Sequence, residues 1–561
     1  MPAPFYVVKG MADTNYAHHA KPGTVYYSHV KRAAIVVLLF FLAASCGNPA
    51  SGQAPPATPL APEALRTWLT VIASDEFEGR STFSAGIEKA AAYISDRLME
   101  AGVRPGGDNG SYLQNVSVQS VQSTNQSTLT VEVNGESRVF QNGVDVFFTP
   151  DVGAKRTLVL DDVEFVGYGL HVGSVHSDYA GRDVRGKAVI WLGEAAPGSL
   201  DSTSAARFLE SRASIALDEM GAAASITSSR FVRGRRNAGP SSFTTTQRLD
   251  LPRAPELAVS DEVLTFLFSA SRVGYDEIRA KVGRREELTP ASIKGVKLTF
   301  NLDADYRVLN TSTTQNVVGF IDGADSLLKN TYVAFGAHYD HLGLEPDSRS
   351  VSTDRINNGA DDDGSGSAAL IGLANAFISA KPRRSIMLVW HAGEERGLWG
   401  SKYLADHPPV PLENIVAQLN VDMIGRNRDN KNSEENTVYA VGADRISTEL
   451  HNILIDANAG LGAPLNIDFE MNDAADPERI YFRSDHFSYA AKGIPVIFFF
   501  TGLHPDYHRV TDSVDKIHFD KMSRITRLIY ELGLRLANLD HAPVRDFKGA
   551  RTGRGFAGKL N

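Results

Sequence analysis

Hydrophobic positions along the chain follow three successive rhythms. PEALRTWLTVIASDEFEGR and GIEKAAAYISDRLMEAGV carry apolar residues at helical spacing, and Gly102 stands where the second helix should stop. From about 125 to 300 the rhythm shortens to alternating runs such as STLTVEVN, RTLVLDDVEFVGYG and GKAVIWLG, broken by glycine and proline, which predict strands. Within that stretch ALDEMGAAASITS (216–228) predicts a helix leading into a strand. From about 300 onward, near-continuous apolar runs alternate with helical ones. The runs are TYVAFGAH (331–338), RSIMLVWH (384–391), NIVAQLNVDM (414–423) and IPVIFFFTG (494–502), with GSAALIGLANAFISA and STELHNILIDANAG between them. Strands apolar on both sides predict an α/β domain, a mixed and mostly parallel sheet flanked by helices on both faces. ITRLIYELGLRLANL predicts the helix that closes it.

A chain of 561 residues is too long for one core. The pattern divides it into an α/β domain built from 61–154 and 296–540, a mainly β insert over 155–295, a linker at 47–60 and a basic tail at 541–561. The net charge of −9, without a concentrated basic face, argues against nucleic acid as a partner. A single cysteine excludes a disulfide framework and any thiolate-rich zinc site. That residue, Cys46, closes KRAAIVVLLFFLAASC, a basic pair and an apolar run too short to span a membrane comfortably but proportioned like an export signal. With the loose GNPASGQAPPATP after it, the segment resembles a lipoprotein signal, Cys46 being acylated after cleavage. Ala43 stands where such signals usually have leucine, and cleavage by the general signal peptidase within 50–54 is the alternative. Either route makes the expected location periplasmic, lipid-anchored at the outer membrane, or secreted. The residues before Lys31 are long for the leading part of a signal, and translation starting near Val30 would account for them.

Each apolar run ends in ionisable residues. The first ends in HYDH (His338, Asp340, His341), and GADDDGSGS (359–367) precedes the helix that follows. The second ends in HAGEE (Glu394, Glu395), the third at Asp422, and the fourth leads to HPDYHRVTD (His504, Tyr507, His508, Asp512). Singly, each has an ordinary explanation: a hydrogen-bonded histidine, an exposed helix start, a cap, a solvated acidic turn. In an α/β sheet, however, the carboxyl ends of strands share one crevice. Several carboxylates gathered there with histidines would be electrostatically prohibitive without cations. Histidine and carboxylate without cysteine suit catalytic zinc, with cobalt or manganese as substitutes.

The set GAHYDHLG, NNGADDDGSGSAAL, AGEERGLWGS, LNVDMIG, RSDHFSYAAKGIPVIFF and DYHRVTD resembles the di-zinc metallopeptidase family of secreted bacterial aminopeptidases and glutamate carboxypeptidase. The likeness covers about 61 to 130 and 300 to 540. The insert resembles a protease-associated domain through FVGYG, SDYAGRDVRGKAVIWL and its MGAAASI segment. The resemblance implies two zinc ions, one held by His338 and Asp422, the other by Glu395 and His508, with Asp362 bridging both. It implies Glu394 as the general base for a metal-bridging water, and Asp340 as the carboxylate that orients the His338 ring. Tyr507 is the candidate hydrogen-bond donor to the oxyanion. Asp363, Asp485 and His486 are expected behind the ligands, with Asp361 and Asp363 turned to neighbouring backbone. A cis peptide is implied at Asp362–Asp363. His341 and His504 have no assigned role.

The implied activity is that of a zinc exopeptidase acting on peptide substrates, an aminopeptidase first. A carboxypeptidase or dipeptidase of the same family is the second reading, with Arg483 or another arginine recognising a free carboxylate. A noncatalytic receptor of the transferrin-receptor kind would have lost ligands that this chain keeps, and a glutaminyl cyclase works with one zinc. Side-chain preference and oligomeric state have no signature in the sequence.

Overall fold

A computed structural model of the chain describes residues 58–231, 240–346 and 354–546. The apolar run ending at Cys46, nearly all of the linker and most of the basic tail lie outside the described residues. Among those described, no helix is long and apolar enough to cross a membrane.

Besides the two-residue strand Arg104–Pro105, which pairs with Gly319 and Phe320, the principal sheet consists of β1 (Leu113–Asn125), β2 (Ser241–Thr245), β3 (Ala304–Ile321), β4 (Tyr332–His338), β5 (Ser385–His391), β6 (Ile415–Val421), β7 (Thr437–Val441), β8 (Asn466–Asp468) and β9 (Val496–Phe500). Their order across the sheet is β2-β1-β3-β5-β4-β6-β9-β7-β8. The four central strands, β5, β4, β6 and β9, are mutually parallel, whereas β3 and β7 flank them antiparallel. Side chains along β4 and β5 alternate between two apolar cores. Val333, Phe335, Ile386 and Leu388 enter one, and Ala334, Met387 and Val389 enter the other. Both faces are therefore buried, as continuous apolar strands require.

Five helices cover the first face: α1 (Pro62–Ile72), α2 (Ala85–Ala101), α3 (Gly366–Ala380), α5 (Thr448–Ala459) and α6 (Phe519–Asn538), with α4 (Trp399–Asp406) on the other. Ser84 caps α2 by accepting the Ile87 N–H, and Gly102 ends it at φ 80, the left-handed turn that glycine adopts without strain. In α3 nearly every residue from Gly366 to Ala374 is buried, so the helix lies sandwiched between sheet and outer helices. The Trp390 indole N–H binds the Ser367 carbonyl and ties the start of α3 to β5.

The long antiparallel pair β1 and β3, in register from Leu113↔Val317 to Ala304↔Asn125, carries the chain out to the insert and back. The insert is thereby wider than the 155–295 suggested by patterning. Its apolar core runs from Leu129 to Ala304. A four-stranded antiparallel sheet pairs Thr128–Val133 with both Glu136–Gln141 and Val296–Leu302, and the latter with Arg156–Leu160. A six-stranded sheet is centred on Ala188–Ile190 and Ala224–Ser228. The stretch 128–154 follows the insert because its alternating strands pair with 296–302, a partner that local periodicity does not reveal.

Candidate metal centre

Parallel β5, β4, β6 and β9 end on one edge of the sheet. His338 is the last residue of β4, Glu394 and Glu395 follow β5, Asp422 follows β6, and the loop with His504 and His508 follows β9. The loop 359–365 enters the same crevice before α3, and its three carboxylates point three ways. Asp361 accepts the Gly425 N–H at 2.6 Å and lies 3.3 Å from His504 Nε2. Asp363 accepts N–H groups of His338, Gly366 and Met423, fastening the end of β4 to the start of α3. Asp362 faces the histidines. Its peptide bond to Asp363 is cis.

The two Asp362 oxygens serve two separate groups. Oδ1 lies 3.1 Å from His338 Nε2, which in turn lies 3.7 Å from Asp422 Oδ2. Oδ2 lies 3.2 Å from His508 Nε2 and 3.7 Å from His341 Nδ1. Glu395 completes the second group, 3.2 Å from His508 Nε2 and 2.9 Å from His341 Nδ1. Two sets of ligand atoms are close enough to share an ion: His338, Asp362 and Asp422, and His341, Asp362 and Glu395. The five expected ligands are thus brought together, and His341 joins them. It is buried, and its sequence reading gave it no role; its place in HYDH, three residues after His338, is the signal that could have found it.

Electrostatics agree with a cation-binding role. Asp362 Oδ2 and Glu395 Oε1 are buried without an aligned hydrogen-bond donor, an arrangement that a divalent cation between them would satisfy. Burial opposes ionisation of Asp362, yet His341, His338 and His508 hold it well below the usual carboxylate range. Burial likewise disfavours charge on His508, but Asp362 and Glu395 push it up to about 10. Glu394 is pushed well above its ordinary value by burial, then by Glu395, Asp485 and Asp422, against the pull of His338. Asp485 is raised to about 7, chiefly by burial. Metal-free, the pocket cannot ionise all its carboxylates. His508 at φ 58 and Met423 at φ 54 hold left-handed backbone that such residues seldom adopt, a strain typical of functional loops.

Behind the ligands, Asp340 differs from expectation. His338 Nδ1 lies 3.0 Å from the Asp340 backbone carbonyl and 3.7 Å from its carboxylate, so the carbonyl is the closer partner of the ring. The carboxylate instead accepts the Thr82 hydroxyl and the Glu394 backbone N–H, each at 3.1 Å. Ser484 donates to Asp422 at 2.7 Å. His486 makes no hydrogen bond or ion pair with the ligands. It stacks on Phe498 at 4.8 Å, and burial lowers it to about 3, an apolar packing role. Tyr507 stacks on His508 at 3.8 Å between ring centres, and its hydroxyl lies 3.5 Å from Arg483. His338, Asp362, Glu394, Asp422 and Tyr507 line one pocket with Met423, Ile480, Phe498, Phe500 and Leu503.

Arg80 is a participant that periodicity did not reveal. Fully buried, it donates to the carbonyls of Ile72, Tyr339, Asn358 and Gly359, joining the two ligand loops from behind. Only the isolated EGR after α1 marks it in the sequence.

Residues 316–533 match the family model described as peptidase family M28, and this matched part of the chain holds every candidate ligand described above. Over 216 residues the chain is 27% identical to a probable leucine aminopeptidase of Trichophyton verrucosum (strain HKI 0517), covering 36% of this chain and 54% of that one. Over 209 residues it is 30% identical to leupeptin-inactivating enzyme 1 of Streptomyces exfoliatus, covering 36% and 43%. The chain thus spans about half the length of these curated relatives. Among solved structures, an aminopeptidase from Aneurinibacillus sp. strain AM-1 aligns with a TM-score of 0.43 and 18% identity over 88% of this chain and 98% of that one.

Proposed function

We propose that the protein is a two-zinc aminopeptidase that releases N-terminal residues from peptides. The observation that carries this reading is the division of Asp362, one oxygen toward His338 and the other toward His508. His338 and Asp422 would hold one cation, Glu395 and His508 the other, with Asp362 shared. Bound, the pair would supply Lewis acidity to the scissile carbonyl and acidify a water.

The remaining chemistry falls to side chains of the pocket. Glu394 belongs to neither ligand group and its backbone is held by Asp340, so its carboxylate is placed to take the proton of the attacking water and deliver it to the leaving amine. The Tyr507 hydroxyl is kept protonated, well above its ordinary value by burial and by Asp362, and can donate to the oxyanion. Met423, Ile480, Phe498, Phe500 and Leu503 form an apolar wall suited to the side chain of an apolar first residue.

A panel of unblocked and N-acetylated peptides, run on protein of measured zinc content, tests this. Release of apolar first residues from unblocked peptides alone is expected. Release of C-terminal residues from blocked peptides would favour the carboxypeptidase reading instead. We further propose that the segment ending at Cys46 exports and anchors the protein and that the insert is a protease-associated domain. Retention of Cys46→Ser in the membrane fraction would refute the anchor.

A further inference from the structure

Two spaces meet at Arg483. On one side it lines the pocket that contains His338, Glu394 and Tyr507. On the other it lines a cavity of about 270 Å³ in the seam between insert and peptidase body, walled by 207–219 from the insert and 478–487 from the body. A second seam cavity of about 360 Å³ shares Ser214, Asp218, Phe482 and Phe487 with the first. Arg483 therefore stands between the candidate metal centre and the seam along the face of the insert.

Four carboxylates and three guanidiniums line the first seam cavity, and their pairing leaves one carboxylate shared. Arg483 Nη1 donates to Glu478 Oε2 at 2.8 Å, and insert residue Arg207 reaches the same oxygen at 2.7 Å. One carboxylate serves two guanidiniums. Glu219 is taken up by Arg479 at 2.6 Å, Asp218 has interactions of its own, and Glu210 is exposed, where solvent screens it. The backbone that presents Arg483 is fixed. Arg479, at φ 51, packs its guanidinium on Phe482 at 4.4 Å and on Phe208 of the insert at 5.3 Å, and Asp476 accepts the Ile480 N–H.

We propose that this seam binds the part of the substrate beyond the scissile bond, and that Arg483 receives a carboxylate there. The carboxylate is either the chain end of a short peptide or an acidic side chain next to the cleaved bond. A planar guanidinium with one half-shared partner is suited to accept a second carboxylate in a forked geometry. An N-terminal residue fills the apolar pocket, and the rest of the peptide must leave past Arg483 into the seam. The inference rests on the aminopeptidase reading above.

Two substrate pairs test it: Leu-Gly against its amide, and Leu-Glu amide against Leu-Gln amide. In the unmodified protein kcat/KM should be about tenfold higher for the anionic member of at least one pair, mainly through KM, and the ratio should fall as salt rises. Preference in the first pair alone identifies the chain end, and in the second alone the side chain. In Arg483→Gln the ratio should approach one, and Arg483→Lys should keep an intermediate value. Should the glutamine variant fail to fold, the salt series on the unmodified protein still decides. Equal turnover within both pairs, or a ratio that survives in Arg483→Gln, would overturn the assignment while leaving the aminopeptidase reading intact. Failure to cleave any of the four peptides would remove both.

Discussion

The carboxylate of Asp340 accepts a hydrogen bond from the backbone N–H of Glu394 at 3.1 Å. Asp340, two residues after the candidate ligand His338, thus reaches across from β4 to hold the proposed base at the end of β5, while the His338 ring leans on the Asp340 carbonyl. Asp340→Ala should therefore reduce kcat by about 10–100-fold, with zinc content and KM little changed. Loss of zinc instead would mean that the carboxylate orients the metal-bound ring after all.

Glu394→Gln should keep its zinc and lose hydrolysis by roughly two to four orders of magnitude, the range for removal of a positioned general base. Near-normal turnover in the zinc-loaded variant would exclude Glu394 from proton transfer.

Two imidazoles, His341 and His508, approach Glu395 within 3.2 Å. With His508 as the ligand, His508→Ala should bind one zinc per chain where the unmodified protein binds two, and His341→Ala should still bind both. Metal analysis of the two variants checks this, and the opposite outcome exchanges their roles.

Without metal, stability should depend on pH through Asp485, raised from 3.8 to about 7 chiefly by burial. The folded protein then holds a proton that the unfolded chain has already released, so this contribution is present below about 4 and is lost as pH rises through about 7. Urea midpoints of chelated protein should fall across that window, and fall less in Asp485→Asn. Identical slopes in the two proteins would remove Asp485 from the account.

Arg80→Met should lower stability by roughly 3–5 kcal/mol, since four buried carbonyls lose their donor and such losses add incompletely. A midpoint shift of less than about 1 kcal/mol would show that the loops it joins are held by other contacts.

The α/β body was legible because its strands are apolar on both sides and terminate in chemistry. Tyr332–His338 and Ser385–His391 fall within a residue of the runs that predicted them. The clustering of the five candidate ligands was legible through the ionisable residues at strand ends and in the loop before α3. His341 and Arg80 were harder, because their roles depend on loops that meet only in three dimensions. The Asp340 carboxylate was misplaced for a related reason: its partner is a backbone N–H, and a main-chain donor leaves no trace in residue identity. His486 sits beside Asp485 in RSDHF, yet its ring turns to Phe498, a choice made by packing. The edges of the insert were missed because pairing between 128–133 and 296–302 spans the whole unit.

Strand β2 leaves the insert to pair with β1, from Ser241↔Ser123 to Thr245↔Gln119, at the margin of the peptidase sheet. An excised catalytic body would carry β1 as a bare strand, ready to recruit a neighbour's backbone. Trimming this protein to its α/β body is thus expected to yield an aggregating product, and the insert acts as a built-in guard on an edge that another chain would otherwise claim.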